Sequence, residues 1–273
     1  MKRTYLAAPY MIWAAAFIVL PLGMVVYYGC TDSAGHFTLA NLAAMSDWVH
    51  YRAFTASLVL AFLATLICLV IAYPLAWFLS QNFRKSSSFV VMLFILPMWI
   101  NFLLRVLSLQ VILSKSGILN ALLGALGLPA LRIMYTKTAI LIGMVYDYIP
   151  FMILPIYNAL TKIDESVVEA ARDLGADRKT VFRRIIFPLS LPGVISGIIM
   201  VFIPNISEFA VADILGGSKI LLFGNVIEQE FNVTSNWNLG SGLSVVLMVF
   251  VFASMAIMNR KDDTEEGGGV AIW

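Results

Sequence analysis

The chain has 273 residues, of which 60% are hydrophobic and only 12% charged, with a mean hydropathy of +0.88 and a formal net charge of +2. Soluble domains carry about 25% Asp, Glu, Lys and Arg, so these proportions exclude a soluble globular protein, which could not cover its surface, and equally exclude disorder. The small net charge gives no basis for a nucleic-acid partner, and a lipid bilayer remains as the solvent.

A bilayer core of about 30 Å needs about 20 apolar residues in helix. That length gives an all-α membrane protein with six spans: Tyr10–Gly29, Ser57–Leu79, Phe89–Leu113, Ala139–Leu160, Gly193–Ala212 and Leu243–Met258. The first follows Lys2 and Arg3 but lacks a small-x-small cleavage site, so it reads as a span and not a signal peptide. Cys30 and Cys68 lie in different environments and do not suggest a disulfide, while His36 and His50 lack metal-ligand spacing. Pro21, Pro74, Pro97, Pro150, Pro155 and Pro204 fall within or at the ends of spans, and each is a candidate kink. No internal repeat is evident.

With the N-terminus inside, 12 of the 18 Lys and Arg fall on the cytoplasmic side, which places both termini there. A single transmembrane domain, 1–261, is expected, followed by a flexible cytoplasmic tail, 262–273, carrying three glycines.

Between spans four and five, the cytoplasmic segment 162–191 breaks the apolar pattern with six basic and five acidic residues. Ser166-Val-Val-Glu169 reads as a capping box, with Asp164 and Glu165 near the positive end of the helix dipole. Val167, Ala170, Ala171 and Leu174 form an apolar face, and Gly175 ends the helix. Asp177 caps a second helix through Val181, Phe182, Ile185 and Ile186 that Pro188 is expected to stop. Such an amphipathic unit either packs under its own bundle, lies at the lipid interface, or offers a surface to a partner.

The residues of this segment, Glu169-Ala170-Ala171, three residues, Gly175, nine residues, then Ile185-x-Phe187-Pro188, resemble the EAA loop of ABC-importer permeases, with Phe187 in place of the usual Leu. The resemblance implies the type I ABC importer permease fold in a bacterial cytoplasmic membrane. It also implies that the segment is a coupling helix docked on an ABC ATPase dimer, with Glu169 as the polar anchor and Gly175 permitting the turn. No G-x-x-x-x-G-K-[ST] sequence is present. The chain therefore has no expected catalytic site or cofactor of its own, and ATP and Mg belong on the partner ATPase.

Further blocks, Pro97-Met-Trp99-Ile-Asn101-Phe-Leu-Leu-Arg105, Leu131-Arg-Ile-Met134, and Asp213-Ile-Leu-Gly216-Gly217 followed by Gly224-Asn225-Val-Ile227, are similar to spermidine/putrescine importer permeases of the PotB type. That resemblance implies a second six-span permease and an extracytoplasmic polyamine-binding protein as partners, and transport by alternating access. A polyamine needs carboxylates for its ammonium groups and aromatic faces for its methylenes. Charges inside spans are scarce and costly, so they should face the bundle interior. Asp147 and Glu208 lie in spans, Asp213 at a boundary, and Arg105 is a possible structural ion-pair partner. Asn205 and Glu208, three apart, share a helix face that Ala212 extends. The substrate-path candidates are Trp99, Asn101, Arg105, Tyr146, Asp147, Tyr148, Glu208 and Asp213, with Asp213 the one that matches the family block. A permease for another small solute, and a membrane scaffold or sensor without transport, are the alternatives.

Overall fold

The structure is a computed structural model that describes residues 9–82, 87–217 and 219–259. The tail 262–273 and the basic residues Lys2, Arg3, Arg84, Lys85, Arg260 and Lys261 lie outside the described residues. In chain order the α-helices are α1 (Leu20–Gly29), α2 (Ala40–Ala43), α3 (Trp48–Asn82), α4 (Ser87–Ile95), α5 (Phe102–Leu113), α6 (Ile118–Ala125), α7 (Lys137–Thr161), α8 (Glu165–Asp173), α9 (Arg178–Val181), α10 (Phe187–Ile206), α11 (Ala210–Gly216), α12 (Phe223–Asn232) and α13 (Trp237–Asn259). Among the described residues six helical stretches are long and apolar enough to cross a membrane: Pro9–Gly29, Trp48–Asn82, Phe102–Ala125, Lys137–Thr161, Arg178–Ile206 and Trp237–Met258.

The count of six matches the expectation, but several boundaries do not; the second span, for one, already begins at Trp48. The apolar run 89–113 is not one helix. Pro97 sits in a 3-10 turn (Leu96–Trp99), and Asn101 then opens α5 by accepting from the Leu103 and Leu104 amides at 2.9 and 3.3 Å. The fifth span ends at Ile206, not Ala212, and Pro188 does not stop the helix before it. A π turn (Phe182–Ile186) closes with the Phe187 amide donating to the Phe182 carbonyl, and the chain runs on through Pro188. The wider turn displaces the carbonyl that the proline ring would strike. A second π turn, Ala15–Val19, precedes Pro21 in the same way.

Helices α3, α7 and α10 pack against one another as the centre of the bundle. A Cβ at Gly193 would lie 2.6 Å from the Pro155 carbonyl oxygen, so only glycine lets α10 approach α7 this closely. Helix α13 packs on α1 and α12 to one side.

Two apolar cores stack along this axis. One joins Cys68, Ala72 and Ala76 to Met152, Ile156, Leu160 and Val201, towards the end of the bundle that carries Lys162, Arg172, Arg178, Lys179, Arg183 and Arg184. The other joins Leu60 and Ala64 to Val106, Ile140, Met144, Val211 and Leu215, towards the opposite end. On α7, Met144 and Met152 belong to different cores, and between them Asp147 and the Tyr148 hydroxyl form a polar layer.

Candidate functional site

That layer is built by three elements. From α5, the guanidinium Nη2 of Arg105 lies 3.4 Å from Asp147 Oδ1 on α7, with the two side chains 9% and 1% exposed. Next along α7, the Tyr148 hydroxyl donates to Glu208 Oε2 at 2.8 Å. Glu208 occupies the break between α10 and α11, and its Oε1 accepts from the Val211 amide at 3.2 Å, near the start of α11. Glu208 thus does not continue a helix face from Asn205 to Ala212, as the spacing had suggested. Pro204 precedes the break, the last turn closes at Ser207, and Glu208 lies in the hinge between the two helices. Helices α5, α7 and α11 pack mutually around this point.

Two buried carboxyl groups and one guanidinium therefore occupy this layer, the guanidinium pairing with Asp147. Glu208 is satisfied by two donors, whereas neither oxygen of Asp147 accepts a hydrogen bond, and Arg105 Nε donates none. Asn205 donates to the Val201 carbonyl at 2.7 Å and leaves its own buried Oδ1 without a donor. Unfilled acceptors beside an excess of carboxylate are an arrangement that a cationic hydrogen-bond donor could complete.

The other residues suggested by sequence lie elsewhere. Trp99 is 79% exposed, Asn101 is the exposed cap of α5, and Tyr146 is 47% exposed, so none of the three touches the buried layer from within this chain. Asp213 stands on α11, where its Oδ1 accepts from Asn225 Nδ2 at 2.7 Å. Burial, and then the neighbouring charge of Glu228, push the Asp213 carboxyl above its ordinary value, against the donation from Asn225. Asn225 also donates to the Phe209 carbonyl at 3.0 Å and accepts from the Leu222 amide at 3.2 Å. A Cβ at Gly224 would meet the Ser207 carbonyl oxygen at 2.5 Å. The Gly-Asn pair thereby fastens α12 under the hinge that carries Glu208. Ser57 has no sequence signal of its own, yet its buried hydroxyl oxygen accepts the Phe223 amide at 2.8 Å and fixes the start of the same helix.

At the basic end, local chemistry sets the 164–187 segment. Asp164, not Ser166, is the cap: its Oδ1 accepts the Ser166 amide at 3.0 Å, and α8 begins one residue before the expected box. The helix closes in a Schellman turn, with the Gly175 amide donating to Arg172 and the Ala176 amide to Ala171, at 2.9 and 3.0 Å. Gly175 has φ +82°, which disfavours a side chain. Asp177 Oδ1 then accepts the Thr180 amide at 3.0 Å.

The apolar face of α8 is divided. Val168 and Ala171 pack on the core, while Val167, Ala170 and Leu174, spaced i, i+3 and i+7, face outward, Leu174 being 90% exposed. Glu169 is exposed at the rim of a cavity it shares with Gln81, Arg172 and Ile186. Ile185 and Pro188 are half-buried where the segment enters α10.

Residues 69–261 match the family described as "Binding-protein-dependent transport system inner membrane component". The chain is 40% identical over 256 residues to the spermidine/putrescine transport system permease protein PotB of Salmonella typhimurium, covering 91% of this chain and 89% of that one. It is 37% identical over 268 residues to the PotB protein of Escherichia coli, covering 93% and 98%. The solved structure of a bacterial ABC transporter for the acidic polysaccharide alginate shares the fold, with a TM-score of 0.71 at 18% identity over 95% of this chain and 96% of that one. A second alginate transporter structure, in complex with a pentasaccharide-bound periplasmic protein, gives 0.78 at 16% identity over 98% of both chains. Six apolar helices, the ABC-importer fold and a match that runs from the second span to the end of the sixth together place the chain among the inner-membrane components of binding-protein-dependent transport systems.

Proposed function

We propose that the chain is the permease subunit of an ATP-driven polyamine importer, taking spermidine, putrescine or both. The observation that carries this reading is the extended identity to permeases named for those two substrates, which covers nine-tenths of the chain. The buried layer is consistent with it. Two carboxyls against one guanidinium leave an excess of negative charge where a polycation must cross, and the aromatic hydroxyl of Tyr148 lies beside it. Asp147, Glu208, Tyr148 and Arg105 are assigned to the path, with Asp213 nearer its mouth. Trp99, Asn101 and Tyr146 lie on exposed surface, suited to a path shared with a second six-span permease.

In this reading both termini and the 164–187 segment are cytoplasmic, as the distribution of Lys and Arg favours. The outward stripe of Val167, Ala170 and Leu174, with Glu169 beside it, docks on an ABC ATPase dimer that supplies ATP hydrolysis. The second capped helix continues through the π turn into α10, so a push at α8 crosses the Gly175 turn and then reaches the hinge at Glu208 along continuous helix. An extracytoplasmic polyamine-binding protein delivers substrate, and closure driven by ATP alternates access across the buried layer.

The test is reconstitution with the ATPase, the second permease and the binding protein. Spermidine or putrescine should stimulate ATP hydrolysis and accumulate inside vesicles. Failure of both, with the complex intact, overturns the substrate assignment. Alanine at Asp147, Glu208 and Asp213 with unchanged uptake would remove the carboxylate path.

A further inference from the structure

At the end of the bundle opposite α8, three cations converge where no carboxylate answers them. Arg52 on α3, Lys137 at the first position of α7 and Lys219 after α11 line one cavity of about 380 Å³, together with Trp48, Ile220 and Leu221. No acidic side chain among the described residues lines it. Among the described residues none of the three cations forms an ion pair, and Lys219 Nζ rests 5.4 Å from the ring centre of Tyr135. The cavity is bounded by the N-terminal ends of α3 and α7, 35 and 25 residues long, whose aligned peptides add positive potential. Charge, dipole and unspent donors all call for an anion, and all oppose the binding of a polyamine. The site is therefore separate from the substrate path.

The surface below the cavity narrows the choice of anion. Arg52 shares a helix face with Val59, Leu63, Leu66 and Val70, which are 57, 37, 46 and 64% exposed. From Arg52 to Val70 that stripe runs about 27 Å at 1.5 Å per residue, close to the thickness of the hydrocarbon core. At its head Trp48 and Tyr51 are 69% and 53% exposed, as aromatic side chains at a membrane interface are. A soluble anionic protein would meet the cations but leave the stripe uncovered. A phospholipid satisfies both.

We propose that Arg52, Lys137 and Lys219 bind the phosphate of an anionic phospholipid, whose acyl chain lies along Val59, Leu63 and Leu66. The full chain, in discs that mix phosphatidylglycerol with phosphatidylethanolamine, should retain phosphatidylglycerol above its share of the bilayer when stripped and weighed by native mass spectrometry. Each single glutamine substitution should lower that enrichment about fivefold, and R52Q/K137Q/K219Q should abolish it. The charge-preserving R52K/K137R/K219R should keep it. Equal enrichment in the wild type and the triple glutamine variant overturns the proposal. Displacement of the lipid by glycerol 3-phosphate or inorganic phosphate reveals a free-anion site and overturns the lipid assignment. So does a triple variant that keeps its lipid but loses capture by the binding protein. Should the triple variant lose its helical circular dichroism, K219Q alone, altered outside the long helices, must still show its share of the loss, or the proposal falls.

Discussion

The 164–187 segment and the buried layer at Asp147 hold charge in opposite ways. In the segment, charges are dense, exposed and satisfied within a few residues: Asp164 reaches Ser166, and Asp177 reaches Thr180. In the layer, charges are few and buried, and their partners come from far along the chain. Tyr148 and Glu208 are 60 residues apart, and Arg105 and Asp147 sit on different helices. Local satisfaction makes a unit that can move as a piece and meet a partner. Long-range satisfaction ties separate helices together at one level of the bundle, so a change there is felt by all of them.

The largest effect should follow from breaking the buried pair. Arg105→Leu takes from Asp147 the cation it pairs with among the described residues, which costs about 3–5 kcal/mol for an uncompensated buried charge. Melting of the purified chain in detergent should fall accordingly, and Arg105→Leu with Asp147→Leu should recover most of the loss. A single variant as stable as the wild type would show that the pair does not hold the helices together. A stable double variant without uptake would separate the path from the scaffold.

Next in size is a change confined to the exposed segment. Glu169 is exposed, so the Glu169→Lys chain should reach the membrane in normal amount and melt normally. Reversing the charge of a docking anchor removes about 2 kcal/mol of association, roughly thirtyfold in affinity for the ATPase. Gly175→Asp, at φ +82°, should act in the same direction. Normal uptake by both variants would sink the docking assignment. Loss of the folded chain in place of uncoupling would erase the contrast between the two regions.

Tyr148→Phe asks how far the layer depends on one neutral donor. The hydroxyl gives Glu208 one of its two hydrogen bonds, and its loss should cost about 1.5 kcal/mol. The amide of Val211 still holds the other oxygen, so α11 should keep its start. A drop in melting temperature smaller than that of Arg105→Leu is expected, together with a raised KM for polyamine uptake. No change in either would mean that the hinge at Glu208 is fixed by the backbone alone.

The same contrast explains which features were legible in the sequence. Six spans follow from apolar length, and Gly175 and Asp177 announce their turns because those signals act within a few residues. Asp164 displaced the expected Ser166 cap because either side chain can open the helix, each by accepting an amide two or three residues on, and spacing alone does not rank them. Pro188 reads as a stop only if every turn is an α turn, and the π turn before it removes that condition. The helix end at Ile206 was invisible because hydropathy continues to Ala212, while the break is held by Tyr148 and by Asn225 beneath it. Asn101 carried a cap signal that the apolar run of 89–113 concealed. The short list of buried charges was readable from scarcity, but their pairing was not, because it is a property of helix packing.

The smallest effect tests the claim that the exposed segment is satisfied locally. Hydrogen bonds from Thr180, first from its side chain and then from its backbone amide, hold the Asp177 carboxyl below its ordinary value of 3.8. A carboxyl with a depressed folded value contributes in full above the unfolded value, and its contribution fades as pH falls through the lower folded one. The amides of Thr180 and Val181, with exchange rates corrected for intrinsic pH dependence, should therefore stay protected from neutral pH down to about 4 and lose protection only below it. Asp177→Asn should keep a cap and remove the acid step, whereas Asp177→Ala should lose protection at neutral pH. Melting of the whole bundle should barely respond, because Asp177 is exposed and its bond is confined to one turn. A bundle that melted markedly earlier in the alanine variant would mean that the turn at Asp177 braces α10 from below, and the two regions would then be one mechanical unit.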